Sequence, residues 1–91
     1  MLPVKWGHEA LDDLVEIIDY IEQYNPIAAA SLHRHIVAAA EGLSTIPYGF
    51  RPGRVPGTRE IVVHPNYLVV YRVGDTAVDV LRVLHARQEY P

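Results

Sequence analysis

The chain has 91 residues, 49% hydrophobic and 21% charged, with a formal net charge of −3 and no cysteine. That composition describes one domain, 1–91, long enough to bury a core and too apolar to be disordered. It excludes disulfides and cysteine-ligated metals; with no apolar run near the ~20 residues of a membrane helix and no signal peptide at Met1–Lys5, a soluble cytoplasmic protein is expected. The net charge hides a split: residues 1–46 hold Lys5 and Arg34 against seven acids, whereas residues 47–91 hold six arginines against four.

Leu2–Trp6 reads as a short strand, with Pro3 near its start marking an edge or a strand end. From His8 the period becomes helical. Leu11, Leu14, Val15, Ile18 and Ile21 form a stripe to about Tyr24, and Gly7 serves as a modest N-cap ahead of Glu9, Asp12 and Asp13. Asn25–Pro26 closes this helix and opens a second, because Asn caps well and Pro suits the first helical position. Along the second helix, Pro26 to about Ser44, the seam Ala29, Leu32, Ile36, Ala39 and Leu43 repeats at three and four, giving a helical hairpin. His33 and His35 diverge on that helix, which suits surface positions better than a metal pair.

Ile46–Thr58 is a loop of three prolines and three glycines, carrying Arg51 and Arg54. Three strands follow as an antiparallel meander: Arg59–His64, Tyr67–Val73 after the turn at Pro65–Asn66, and Thr76–His85 after Gly74–Asp75. In the first, Arg59, Ile61 and Val63 share one face and Glu60, Val62 and His64 the other. The second is almost wholly apolar, as befits a central strand. Two helices cannot cover both faces of so small a sheet, so one face is expected to stay open, lined by arginines and framed by the Arg-rich loop and the tail after His85.

No phosphate-cradling glycine loop or zinc spacing is present, and no metal or cofactor is expected. The arginines, His85, Tyr71 and Tyr90 could stabilise a phosphodiester transition state and shuttle its proton, as in a metal-free ribonuclease. The same residues would equally serve to bind an anion.

The segments VKW, EALDDLVEIIDYI, NPIAAA, RPGRVPGTRE, YLVVYRV and VLRVLHARQ resemble, in content and order, the RelE/ParE superfamily of toxins from bacterial type II toxin–antitoxin systems. The resemblance runs from Val4 to Pro91. It implies an α+β fold, β-α-α-β-β-β, with the helix hairpin packed on one face of a small antiparallel sheet. It also implies a cognate antitoxin encoded beside the toxin, through which alone operator DNA would be contacted. Activities divide within the superfamily: RelE-like members cut mRNA on the ribosome, and ParE-like members poison DNA gyrase. Carried onto this chain, a nuclease would use Arg59, Arg82, His85 and Tyr90, with Arg51, Arg54, Arg72 and Arg87 as binding residues. The lysines of basic RelE members are absent, because Lys5 is the only lysine. Phosphate neutralisation is therefore weak, and the resemblance leans toward a ParE-like gyrase poison. The alternatives are a ribosome-dependent mRNA endoribonuclease and an inactive member kept for antitoxin binding.

Overall fold

The computed structural model describes residues 1–90. Its elements run β1 (Val4–Trp6), α1 (His8–Glu22), α2 (Pro26–Gly42), β2 (Arg51–Pro52), β3 (Arg59–His64), β4 (Tyr67–Val73) and β5 (Val78–His85). The five strands form one sheet in the order β1-β5-β4-β3-β2. The antiparallel meander is as the sequence suggests, but the sheet is mixed, because β1 pairs parallel with β5 through Val4–Val78, Lys5–Asp79 and Trp6–Val80. The two-residue β2 lies inside the segment read as loop, pairing Arg51 with Glu60 and Pro52 with Arg59. So short a strand leaves no alternation for a sequence to display.

Both helices lie on one face, α1 over β5 and α2 over β3. Asn25 caps α2 as expected, its Oδ1 accepting from the Ala28 N–H at 3.0 Å. Gly7 has no capping side chain; its value lies in its size. Its N–H donates to the Val80 carbonyl at 2.8 Å, and an added Cβ would sit 3.0 Å from that oxygen. The chain therefore turns from β1 into α1 hard against β5.

The buried side of α1 is rotated from the expected stripe. Ala10 and Leu14 are buried with Ile17, Ile18 and Ile21 beside them, while Leu11 and Val15 are exposed. Rotating the buried face toward Ala10 and Ile17 turns Asp13 to β5. On α2 the seam holds, with Ala40 rather than Ala39 fully buried. These residues close over Val69, Val80 and Val83 to form the main core. Each fully buried aliphatic side chain there is worth about 1.5–3 kcal/mol.

A second cluster joins Leu43, Tyr71 and Val78. Tyr71 is fully buried, and its hydroxyl donates to the Pro47 carbonyl at 2.6 Å, tying the loop to the central strand. The opposite face of the sheet is not open as expected. Leu68, Val70 and Leu84 are buried there, with Ala86 and Tyr90 of the tail packed on them.

Burial raises the Tyr71 phenol above its ordinary 10.0, with the Arg59 charge pulling the other way. The unfolded chain therefore sheds this proton first. The stability it supports is whole below pH 10 and is lost as pH climbs through the raised value. Thermal melts should be flat on this account to about pH 9 and fall steeply above pH 10. Tyr71→Phe should flatten that alkaline limb while costing about 1 kcal/mol at neutral pH for the lost hydrogen bond.

Candidate functional site

The arginines of the C-terminal half fall into separate places and do not converge on one surface. Arg82 sits on β5 where the ladder slips. Val70 faces Arg82 but Tyr71 faces Val80, leaving Leu81 as a bulge. Simple alternation would place Arg82 with Leu84 beneath the tail. The bulge, beside a stretch of β5 that β1 does not cover, lets the guanidinium reach α1 instead. There Nε donates to Asp13 Oδ2 at 2.7 Å and Nη2 to Oδ1 at 3.1 Å. The same Oδ2 accepts from the Val83 N–H at 2.9 Å. Glu9 adds a longer, exposed contact at 3.8 Å. The hydrogen bonds to Asp13 lift Arg82 further above its already high range, and burial opposes this. The expected place of Arg82 on an uncovered face is thus corrected: it is ion-paired against the helical layer.

Arg59 is likewise occupied. It lies on the helix-facing side of β3, where Nη1 donates to the Phe50 carbonyl at 2.9 Å and to the Tyr48 carbonyl at 3.4 Å. Its guanidinium stands 5.1 Å from the Tyr48 ring centroid. Arg51 pairs with Glu60, through both Nε and Nη2 at 3.0 Å, and Glu60 is only 4% exposed. Arg54 donates to the Gln88 carbonyl at 3.2 Å and lies 4.6 Å from the Tyr90 ring centroid. Tyr90 is packed on Leu68, Val70 and Leu84. Its buried hydroxyl has no partner among the described residues, and neither has Glu60 Oε2. Arg72 and Arg87 are exposed, and their guanidinium groups make no hydrogen bond or ion pair among the described residues.

His85 is the one sequence-derived candidate that shares a concavity with Arg82. A groove of about 320 Å³ between α1 and β5 is lined by Asp13, Glu16, Tyr20, Arg82 and His85 over a floor that includes Ile17. His85 Nδ1 accepts from the Arg87 N–H at 3.1 Å, which puts the proton of the neutral ring on Nε2. Its ring meets Tyr67 edge-on at 5.4 Å. Two carboxylates border this groove, and one already neutralises its guanidinium. An incoming phosphate would meet net negative charge there.

Asp13 and Glu60 were not singled out in the sequence. Asp13 reads as one more solvated acid near a helix start, and its partner is 69 residues away. Glu60 alternates with apolar residues as any solvent-facing position would. Only the fold pairs either one.

A family model described as the ParE toxin of the type II toxin–antitoxin system parDE matches residues 4–90. The protein Y4kP of Sinorhizobium fredii is 39% identical over 89 residues, covering 97% of this chain and 92% of its own length. Toxin RelE2 of Caulobacter vibrioides is 39% identical over 88 residues, covering 94% and 97%. Among solved structures, the chromosomal ParDE toxin–antitoxin system from P. aeruginosa superposes with a TM-score of 0.85 at 26% identity, covering 93% of this chain and 96% of that one.

Removing the Asp13 carboxylate strands both the Arg82 fork and the Val83 N–H. Asp13→Ala should destabilise the fold by about 2–3 kcal/mol in urea unfolding. Glu9→Ala, which removes only an exposed and longer contact, should change stability by less than about 0.5 kcal/mol.

Proposed function

Because this chain belongs to the ParE toxin family of type II toxin–antitoxin systems, we propose that it inhibits growth by binding DNA gyrase and that a cognate antitoxin neutralises it. The observation that carries the gyrase reading is the occupancy of its arginines. Arg82 is neutralised by Asp13, and Arg59 is spent on two backbone carbonyls. A ribonuclease needs guanidinium groups aimed at the scissile phosphate and an acid–base group beside them. Here His85 shares a groove with Arg82, but Asp13 and Glu16 border the same groove, and Tyr90 belongs to the tail packed on the other face. A ribosomal surface is also polyanionic, and a chain with eight cations against eleven acids is poorly suited to it.

A toxin of this kind acts as a binding protein, and its surface must be blocked in the producing cell by a partner that orders on contact. The P. aeruginosa relative belongs to a chromosomal ParDE toxin–antitoxin system. For this chain the corresponding partner is the antitoxin encoded beside it, through which operator DNA would be reached. Among the described residues no helix is long and apolar enough to cross a membrane.

Purified chain added to gyrase and supercoiled plasmid should trap cleaved DNA, and induction of the chain alone should raise DNA breaks before any codon-positioned mRNA cuts. Unaltered supercoiling at growth-inhibiting doses, with mRNA cleaved on translating ribosomes, would reverse the assignment. Antitoxin at a hundred times its Kd adds about 2.7 kcal/mol, which is roughly 10–20 °C in melting temperature for a domain of this size. No rise on mixing would refute the partnership.

A further inference from the structure

Helix α1 carries six acids, Glu9, Asp12, Asp13, Glu16, Asp19 and Glu22, and neither lysine nor arginine. Three of them meet cationic or titratable partners: Asp13 and, more distantly, Glu9 meet Arg82, and Asp12 meets His8 at 3.2 Å. Glu16, Asp19 and Glu22 are exposed and make no ion pair among the described residues. Their spacing is unfavourable for the free chain. Asp12 and Glu16 repel at i,i+4, and Glu16–Asp19 and Asp19–Glu22 repeat the repulsion at i,i+3. Asp19 and Glu22 also stand in the last turn, at the negative end of the helix dipole, where no basic residue offsets them. Conflicts of this kind between local chemistry and stability are expected at functional surfaces.

The same face is apolar as well as acidic. Val15 and Tyr20 share a shallow depression of about 530 Å³ with Asp12, Glu16, Asp19 and Gln23. Glu16 and Tyr20 also line the α1–β5 groove, so they stand between the two concavities. Tyr20 and Tyr24 are both exposed, edge-on to one another, with exposed Ile27 close by in sequence. The buried side of α1 meets α2 and β5, and nothing among the described residues covers this one. A tyrosine ring beside unpaired carboxylates suits a guanidinium or ammonium group: the carboxylates pair with its charge, and the ring face attracts it.

We propose, resting on the gyrase reading above, that the outward face of α1 is the surface that meets the target, and that it takes a basic segment of gyrase with an arginine or lysine seated on Tyr20 beside Glu16 and Asp19. An enzyme that grips DNA neutralises its phosphates with lysines and arginines, so a basic surface is what gyrase has to offer. Pairing with it relieves the repulsion that the free helix bears. Opposite charges across such a contact steer the encounter and fix its orientation, while a covered aromatic ring slows its dissociation. The arginines of the C-terminal half play no part in this contact.

The test takes the full chain and purified gyrase, and compares native, Asp19→Lys and Tyr20→Ala chains in binding kinetics across salt, in trapping of cleaved DNA, and in thermal melts of the chain alone. Asp19→Lys turns two repulsions at i,i+3 into attractions and suits the dipole, so the free chain should melt about 2–6 °C higher. The same change should cut the association rate with gyrase roughly tenfold at low salt and flatten its salt dependence. Tyr20→Ala should speed dissociation roughly tenfold, and both variants should trap less cleaved DNA. A chain that is more stable yet binds gyrase less well is a result that a merely structural role for Asp19 would not give. Native binding kinetics in both variants, with cleaved DNA still trapped by the native chain, would overturn the contact face while leaving gyrase as the target. No binding of the native chain to gyrase would remove both. Variants that lose affinity for the antitoxin but keep it for gyrase would assign the face to the antitoxin and also overturn the proposal.

Discussion

One carboxylate ties the helical layer to the sheet at the place where the sheet itself gives out. β1 supports β5 only as far as Val80, and beyond it the edge of β5 would offer the Val83 N–H to solvent. Asp13 supplies the missing acceptor and holds the Arg82 fork with the same group. A carboxylate in this position fixes how far α1 may slide or rotate along β5. It is consistent with the rotation of α1 that buries Ala10 and Ile17 and exposes Leu11 and Val15. A strand edge capped by a helix side chain is also protected from pairing with another chain.

The second face of the sheet obeys a different constraint. Leu68, Val70 and Leu84 need cover, and with both helices committed to the other side only the tail can give it. Tyr90 does so with its ring, held by Arg54 from above. Among the described residues, however, its hydroxyl reaches no acceptor, and on the same face Glu60 has one carboxylate oxygen satisfied by Arg51 and the other by none. Unmade hydrogen bonds of this kind cost about 1–3 kcal/mol each.

Most of the architecture was legible because it follows from period and punctuation. The change from alternation to a helical repeat at His8, the Asn25–Pro26 break, and the turns at Pro65–Asn66 and Gly74–Asp75 are local signals, and the structure places its elements accordingly. What was not legible depends on contacts between distant residues. The parallel pairing of β1 with β5 and the two-residue β2 leave no mark in composition. The α1 stripe was misread at Leu11 and Val15 because they are at least as apolar as Ala10, and period alone does not say which side meets the sheet. For the candidate site the failure was of partnership. Six arginines in one half suggested a common surface, but four of them, Arg51, Arg54, Arg59 and Arg82, were read without the acid or carbonyl that holds them, and those partners lie from nine to 69 residues away.

The occupied arginines change what kind of partner this molecule can recognise. With Arg51 and Arg82 in ion pairs, Arg59 on backbone carbonyls and Arg54 over Tyr90, the positive balance of the C-terminal half is mostly consumed inside the fold. What the exterior offers is different in chemistry. Tyr20 and Tyr24 stand edge to face at 5.4 Å near the hairpin turn with Ile27 beside them in sequence, Leu11 and Val15 are exposed along α1, and Val62 marks an unpaired strand. Exposed aromatic and branched side chains with a single lysine in the chain match the composition of protein-binding surfaces, which favour tyrosine and exclude lysine. Nucleic-acid surfaces require the reverse. The exterior is therefore better matched to a protein surface than to a polyanion.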